Sequence, residues 1–341
     1  MMWDPGQYIE KLYHQTVRND TETYNEEWKQ NLKAPFQKSM GEFSIPPQEK
    51  LKPALLEKVE TDDYKQLRVE ITTTESLKAP VYVLIPKRKE KTKLPVVLAL
   101  HGHGYGSKEV IGMNSDGTEN LEEPGIHKNF ALELVRKGMI VAAPEMIGFG
   151  DRKLAEDRHS NLPTVNSCFS LASQLLLMGK TLPGLRVFEC RRVLDYISSL
   201  DEVDPERIGC MGFSGGGLVA AFTSVLDLRI KATVITGYTN TFKGSIMARR
   251  HCLDNYIPGI LQLAEMPELI GLIAPRPLFI EAGTRDHLFP IRQVEEALKT
   301  LNEIYQDFDR RDALAHHFFK GNHEICGDQS IDWLLEMLNK I

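Results

Sequence analysis

Ile208-Gly-Cys-Met-Gly-Phe-Ser-Gly-Gly-Gly-Leu218 is the stretch whose reading decides the fold. An apolar run enters a Gly-x-Ser-x-Gly pattern and leaves it through small residues, Gly215 to Ala221, that read as the start of a helix. Such a strand-to-helix turn makes a serine hydroxyl a useful nucleophile, because it exposes the oxygen beside backbone amides and the positive end of a helix dipole. Gly212 and Gly216 stand two residues either side of Ser214, where side chains would collide across the turn. The bare pattern is expected by chance in roughly one chain of this length in ten. The apolar strand before it and the helix start after it make it specific.

A serine nucleophile needs a base, and the base needs an orienting acid. Asp286 follows the apolar run Leu278 to Ala282 through Gly283-Thr284-Arg285, and His323 follows His316 to Phe319 through Lys320-Gly321-Asn322. Both therefore fall on loops at the carboxyl edge of predicted strands, where α/β active sites collect, and the order Ser214, Asp286, His323 is the one this architecture uses. Rival acids and bases fit less well. The loop Gly237 to Lys243 contains no carboxylate, Asp254 comes too late after its strand, and Asp309 and Asp312 precede the last strand. His316 and His317 lie on the strand itself, and His287 is chained beside the acid.

The oxyanion donors are expected to be the amide of Gly215 and the amide of His103, the latter in the glycine-rich loop His101-Gly-His-Gly-Tyr-Gly106 after the strand Val96 to Leu100. His101 and His103 have a metal-ligand spacing, but no Asp, Glu or Cys cluster accompanies them in sequence, so no metal is expected and hydrogen bonding is the expected role. The chemistry needs no cofactor. Tyr105, Phe213, Tyr256 and Phe289 are candidate pocket-lining residues. Glu145 and Arg152, in Ala143-Pro-Glu-Met-Ile-Gly-Phe-Gly-Asp-Arg152, are expected either to fix their loop or to touch substrate, with a local ion pair the plainer reading.

Outward from these motifs, strands alternate with helices from Val96 onward, which predicts a mostly parallel twisted sheet flanked by helices. The runs Leu67 to Thr73 and Ala79 to Pro86 predict an antiparallel hairpin leading into it. Residues 1 to 60 read as an N-terminal helical extension, with Tyr8, Leu12, Tyr13, Tyr24, Trp28 and Leu32 at helical intervals and Pro35, Pro46, Pro47 and Pro53 punctuating the stretch after Leu32. Residues 61–341 form the predicted main domain, with segments 152–182 and 238–270 as cap or lid candidates. The aromatic residues of the extension need burial, either on their own domain or against a second copy in a homo-oligomer.

The 341 residues are 42% hydrophobic and 26% charged, with a net charge of -6, so nucleic acid and anionic membranes are not expected partners and a small ester substrate fits better. The opening Met-Met-Trp-Asp-Pro-Gly has no secretion pattern, and no run approaches membrane-span length, which gives a cytoplasmic expectation. Five scattered cysteines, without Cys-x-x-Cys spacing, suggest neither a disulfide framework nor a zinc knuckle.

With these motifs in hand, the chain resembles the α/β-hydrolase superfamily, and within it the dienelactone-hydrolase-like and acetyl-xylan-esterase-like bacterial hydrolases. The similarity spans roughly residues 60 to 341 through His101-Gly-His-Gly104, Ala143 to Arg152, Gly212-Phe-Ser-Gly-Gly216, Gly283-Thr-Arg-Asp-His287 and Gly321-Asn-His323. The resemblance implies an α/β-hydrolase fold and a serine esterase acting through an acyl-enzyme. Dienelactone hydrolases proper carry cysteine where this chain has Ser214, and acetyl xylan esterases usually carry Gln where it has Gly215. A serine peptidase of the prolyl-oligopeptidase type shares the triad order, but the residues before Val96 are too few for its propeller. A hydrolase-like binding protein without catalysis is the other alternative.

Overall fold

The computed structural model describes residues 3–17, 23–43, 50–88, 92–159, 162 and 165–341. Pro46, Pro47, Pro163 and part of the charge run Lys87 to Lys93 lie outside the described residues. The strands are β1 (Ala54–Glu60), β2 (Tyr64–Thr74), β3 (Leu77–Pro86), β4 (Leu94–Leu100), β5 (Ile140–Pro144), β6 (Val203–Phe213), β7 (Ile230–Thr236), β8 (Leu278–Gly283) and β9 (Leu314–Phe319). The helices are α1 (Pro5–Thr16), α2 (Glu26–Ser39), α3 (Ser107–Val110), α4 (Phe130–Arg136), α5 (Cys168–Leu177), α6 (Leu182–Ile197), α7 (Gly215–Leu226), α8 (Met266–Gly271), α9 (Ile291–Asp307) and α10 (Ser330–Asn339).

The strands form one sheet in the order β1-β2-β3-β5-β4-β6-β7-β8-β9. From β5 to β9 every neighbouring pair is parallel, while β1, β2 and β3 join antiparallel at the other end. This is the α/β-hydrolase fold. Strand alternation divides the core: Val96, Leu98 and Leu100 of β4 face the layer built by α2, α6, α7, α8 and α9, whereas Val97 and Ala99 face α4 and α10. After β4 the chain moves to β5 on one side and later returns through β6 on the other. The carboxyl ends of β4 and β6 thus flank a topological switch point, where ligands of open α/β sheets bind.

Three elements differ from the expectation. Pro35 sits inside α2 rather than ending it. Interior proline removes a hydrogen bond and costs about 3 kcal/mol, but Trp28, Leu32 and Phe36 recur every fourth residue and bury one face in the core, with Phe36 edge-on to Phe222 of α7 at 4.8 Å. Tertiary burial overrides the local penalty. Strand β1 was not legible, because all of it is exposed at the sheet edge and carries no alternating core pattern. Strand β6 begins at Val203, within what reads as a polar loop through Arg207, because Val203 pairs with Leu94 ahead of a register shift.

Segment 238–270 contains no strand and packs as loops, short 3-10 turns and the start of α8. No helix among the described residues is long and apolar enough to cross a membrane.

Candidate active site

Ser214 directly follows β6 and caps α7 with φ 55° and ψ -120°, a backbone conformation that L-residues rarely adopt. Two glycines permit it. A Cβ at Gly212 would collide with the Gly216 carbonyl oxygen, and one at Gly216 would collide with the Leu100 carbonyl oxygen. The Ser214 amide donates to the Thr236 carbonyl on the neighbouring strand at 2.9 Å, fixing the turn from outside.

The hydroxyl meets a histidine brought from the loop after β9. His323 Nε2 lies 2.8 Å from Ser214 Oγ, and its Nδ1 lies 2.7 Å from Asp286 Oδ2. An ionised carboxylate only accepts, so Nδ1 carries the proton and Nε2 is left to accept from the serine. The other oxygen of Asp286 accepts from the amides of Leu288 and Phe289 at 2.8 and 3.0 Å, which locks the acid in its loop. The imidazole is held between two rings, stacked on Phe289 with centroids 5.7 Å apart and tilted against Phe213 at 4.8 Å.

The loop after β4 presses on the serine from the other side. A Cβ at Gly102 would stand 2.9 Å from the Phe213 carbonyl oxygen and 3.1 Å from Ser214 Cβ, so the backbone approaches as closely as glycine allows. A Cβ at Gly215 would meet His103 Nδ1 at 3.4 Å, so the His103 ring lies beside the first residue of α7. Two buried histidines shape this loop. His101 Nε2 accepts from the Met146 amide at 3.1 Å, which leaves its Nδ1 as donor to the Gly102 carbonyl at 2.8 Å. His127 Nε2 accepts from the Gly102 amide at 2.8 Å, and its Nδ1 faces Glu109 at 2.9 Å. Burial, outweighing the pull of Glu109, holds the His127 imidazole below its usual value.

The cavity beside Ser214 measures about 300 Å³ and reaches Ser214, Gly215, His103, Phe213, Phe289 and His323. Of the other candidates, Glu145 does not belong to it. Its carboxylate is 2% exposed and accepts from the amide and hydroxyl of Ser107 at 3.0 and 3.1 Å. Arg152 forks onto Glu189 of α6 at 2.6 and 2.7 Å, so this pair of residues fixes the loop after β5. Tyr105 turns its hydroxyl to the Met113 carbonyl at 2.8 Å and lines a separate cavity of about 640 Å³ with Lys108, Asp151 and Arg158. Tyr256 lines an adjoining cavity of about 500 Å³, which shares Arg250, His251 and Cys252 with the one beside Ser214.

Sequence reasoning missed His127, Glu109, Arg250 and Glu281. Glu281, buried on β8, accepts from the amides of Cys326 and Gly327 and the hydroxyls of Thr236 and Ser330, anchoring the loop beyond His323. A carboxylate inside an otherwise apolar strand, Leu278-Phe-Ile-Glu-Ala-Gly283, was its one available signal.

A strand-end serine at a positive φ, a histidine and an acid from later strand-end loops, and a glycine loop closing over them define an α/β-hydrolase site. The Abhydrolase family's sequence profile matches residues 10–318, and the chain belongs to that family. It is 32% identical over 237 residues, 67% of this chain and 72% of the other, to a Bacillus subtilis (strain 168) protein named "Putative hydrolase YtaP". Among solved structures it is similar in fold to a "putative acetyl xylan esterase" from Bacteroides fragilis NCTC 9343, at 17% identity and TM-score 0.77 over 93% of this chain and 83% of that one. A glucuronoyl esterase from Solibacter usitatus has 15% identity and TM-score 0.65, with 91% of each chain covered.

Proposed function

We propose that this chain hydrolyses short-chain carboxylic esters through an acyl-enzyme on Ser214. The observation that carries the reading is the unbroken hydrogen-bonded line Ser214–His323–Asp286 at 2.8 and 2.7 Å. In the first half-reaction His323 Nε2 takes the hydroxyl proton as Ser214 Oγ attacks the ester carbonyl, then gives that proton to the departing alcohol. Water repeats the sequence on the acyl-enzyme, releasing the acid and restoring the serine. Asp286 stabilises the imidazolium formed twice per cycle.

The oxyanion falls to the amides of Gly215 and His103. Gly215 begins α7, where the first amides have no partner within the helix, and the loop carrying His103 is drawn against Ser214 at Gly102. Phe213 and Phe289 line the acyl or alcohol pocket, and a cavity of about 300 Å³ suits a small substrate. The esterase descriptions of the solved structures with this fold agree with the reading.

The test is covalent labelling by a fluorophosphonate, mapped by mass spectrometry. The label is expected on Ser214 and lost in His323→Ala. On a short-chain p-nitrophenyl ester, Ser214→Ala is expected to lower kcat by roughly 10⁶-fold with circular dichroism unchanged. Activity surviving that substitution would reject the mechanism, while cleavage of peptides in preference to esters would move the reading to a peptidase.

A further inference from the structure

Beside the cavity at Ser214, four side chains from three separate segments converge: His103 of the loop after β4, Cys168 at the start of α5, and Cys252 and Asp254 within segment 238–270. Their ligand atoms all lie within 4.8 Å of one another. His103 Nε2 is buried without a hydrogen-bond partner and stands 3.4 Å from Asp254 Oδ2. A buried ring nitrogen is seldom left unmatched, and here it is aimed into a group of sulfur and oxygen donors.

We infer that His103, Cys168, Cys252 and Asp254 bind one zinc-class divalent ion that ties the oxyanion loop to α5 and to segment 238–270. The donor set selects the metal class, since two thiolates and an imidazole suit zinc and disfavour magnesium or calcium. A tetrahedral zinc ion bound at ordinary lengths needs ligand atoms roughly 3.3–3.8 Å apart. The His103–Asp254 edge already has that length at 3.4 Å, and no other pair of ligand atoms is farther apart than 4.8 Å.

Charge and surroundings agree with such an ion. Binding releases the thiol protons. The two thiolates and the Asp254 carboxylate are then balanced by the divalent ion together with the buried Arg186 guanidinium, which contacts Asp254 Oδ2 at 2.6 Å and Cys168 Sγ at 3.0 Å. Arg186 is itself held by the Ile147 carbonyl at 3.0 Å, and Asn255 Nδ2 donates to the other Asp254 oxygen at 2.9 Å. These outer hydrogen bonds orient ligands in the way metal sites require. Sequence reading set metal aside because no cysteine or acid accompanies His103 locally; the fold supplies them from elsewhere.

The experiment uses the full chain, purified under reducing conditions, stripped with EDTA and then dialysed against zinc or cobalt(II). One zinc per chain by elemental analysis, a cobalt–thiolate charge-transfer band and a higher Tm with zinc are expected. Cys252→Ser is expected to lose the band and the zinc-dependent Tm shift. Should that variant fail to fold, zinc protection of Cys168 and Cys252 from alkylation in the unaltered protein, read by mass spectrometry, separates the same two outcomes. Background metal content in folded, reduced protein would overturn the inference, as would unprotected thiols or a band that survives in Cys252→Ser. None of these readouts depends on esterase activity.

Discussion

Ser214 occupies a backbone conformation that only its surroundings stabilise, and the same is true of the charges around it. Asp286 is 5% exposed and receives two amides on one oxygen and His323 on the other. On the esterase reading, Asp286→Asn should lower kcat about 10⁴-fold by favouring the wrong imidazole tautomer, with little change in Tm. Steady-state kinetics alongside thermal melts separate the two effects. His127 offers a pH test. Its imidazole is held below the ordinary value by burial, so the unfolded chain takes up a proton near ~6.5 while the folded one does not. Its stability contribution is therefore complete above that pH and is lost as pH falls toward the folded value. Tm should decline from about pH 7.5 to about 5.5, and the decline should be shallower in His127→Gln. Glu109, pushed up by burial but brought below its usual range by the His127 hydrogen bond, acts only at lower pH and does not blur that window.

Helix α2 shows what packing can impose on an element. Asn25 caps it by accepting from the Trp28 amide at 2.9 Å, and its buried face docks on α7 despite the internal proline. Phe36→Ala, at a fully buried position, should destabilise the protein by about 3–5 kcal/mol in urea unfolding while leaving KM for an ester substrate unchanged. Helix α1 is the contrast. It buries no residue and leaves Tyr8 and Ile9 exposed, touching the rest mainly through Tyr13 to Glu265 and Lys243 to Glu10. Removing residues 1–16 should shift Tm by no more than about 4 °C, measured by differential scanning fluorimetry. A larger fall would mean that α1 contributes through contacts beyond these.

Across the whole molecule, the sheet gathers the site by presenting the loops after β4, β6, β8 and β9 at one edge. That much is written locally. Ser214 directly follows β6, and Asp286 and His323 follow β8 and β9 by short loops, so strand periodicity and chain order together place them at the same rim. The glycine at 212 is equally legible, because its clash lies across the turn with the Gly216 carbonyl, whereas Gly216 is required by the Leu100 carbonyl at the end of β4, a contact between distant segments. The fate of Tyr105 and Tyr256, pocket candidates by their position in loops, was not legible, nor was which of its two roles, fixing its loop or touching substrate, Glu145 takes, because the direction of a loop side chain depends on which distant group it meets. Ser107 claims Glu145 and the Met113 carbonyl claims Tyr105. The sequence alone determined the fold class, the strand-to-helix turn at Ser214 and the strand-end loops that carry Asp286 and His323, since hydrophobic periodicity and chain order are read directly along the chain. Only the tertiary structure decided the buried partners of those loops, from His127 and Glu281 to the cluster at His103, because burial and pairing of polar groups arise between segments whose separation along the chain says nothing of their distance in space.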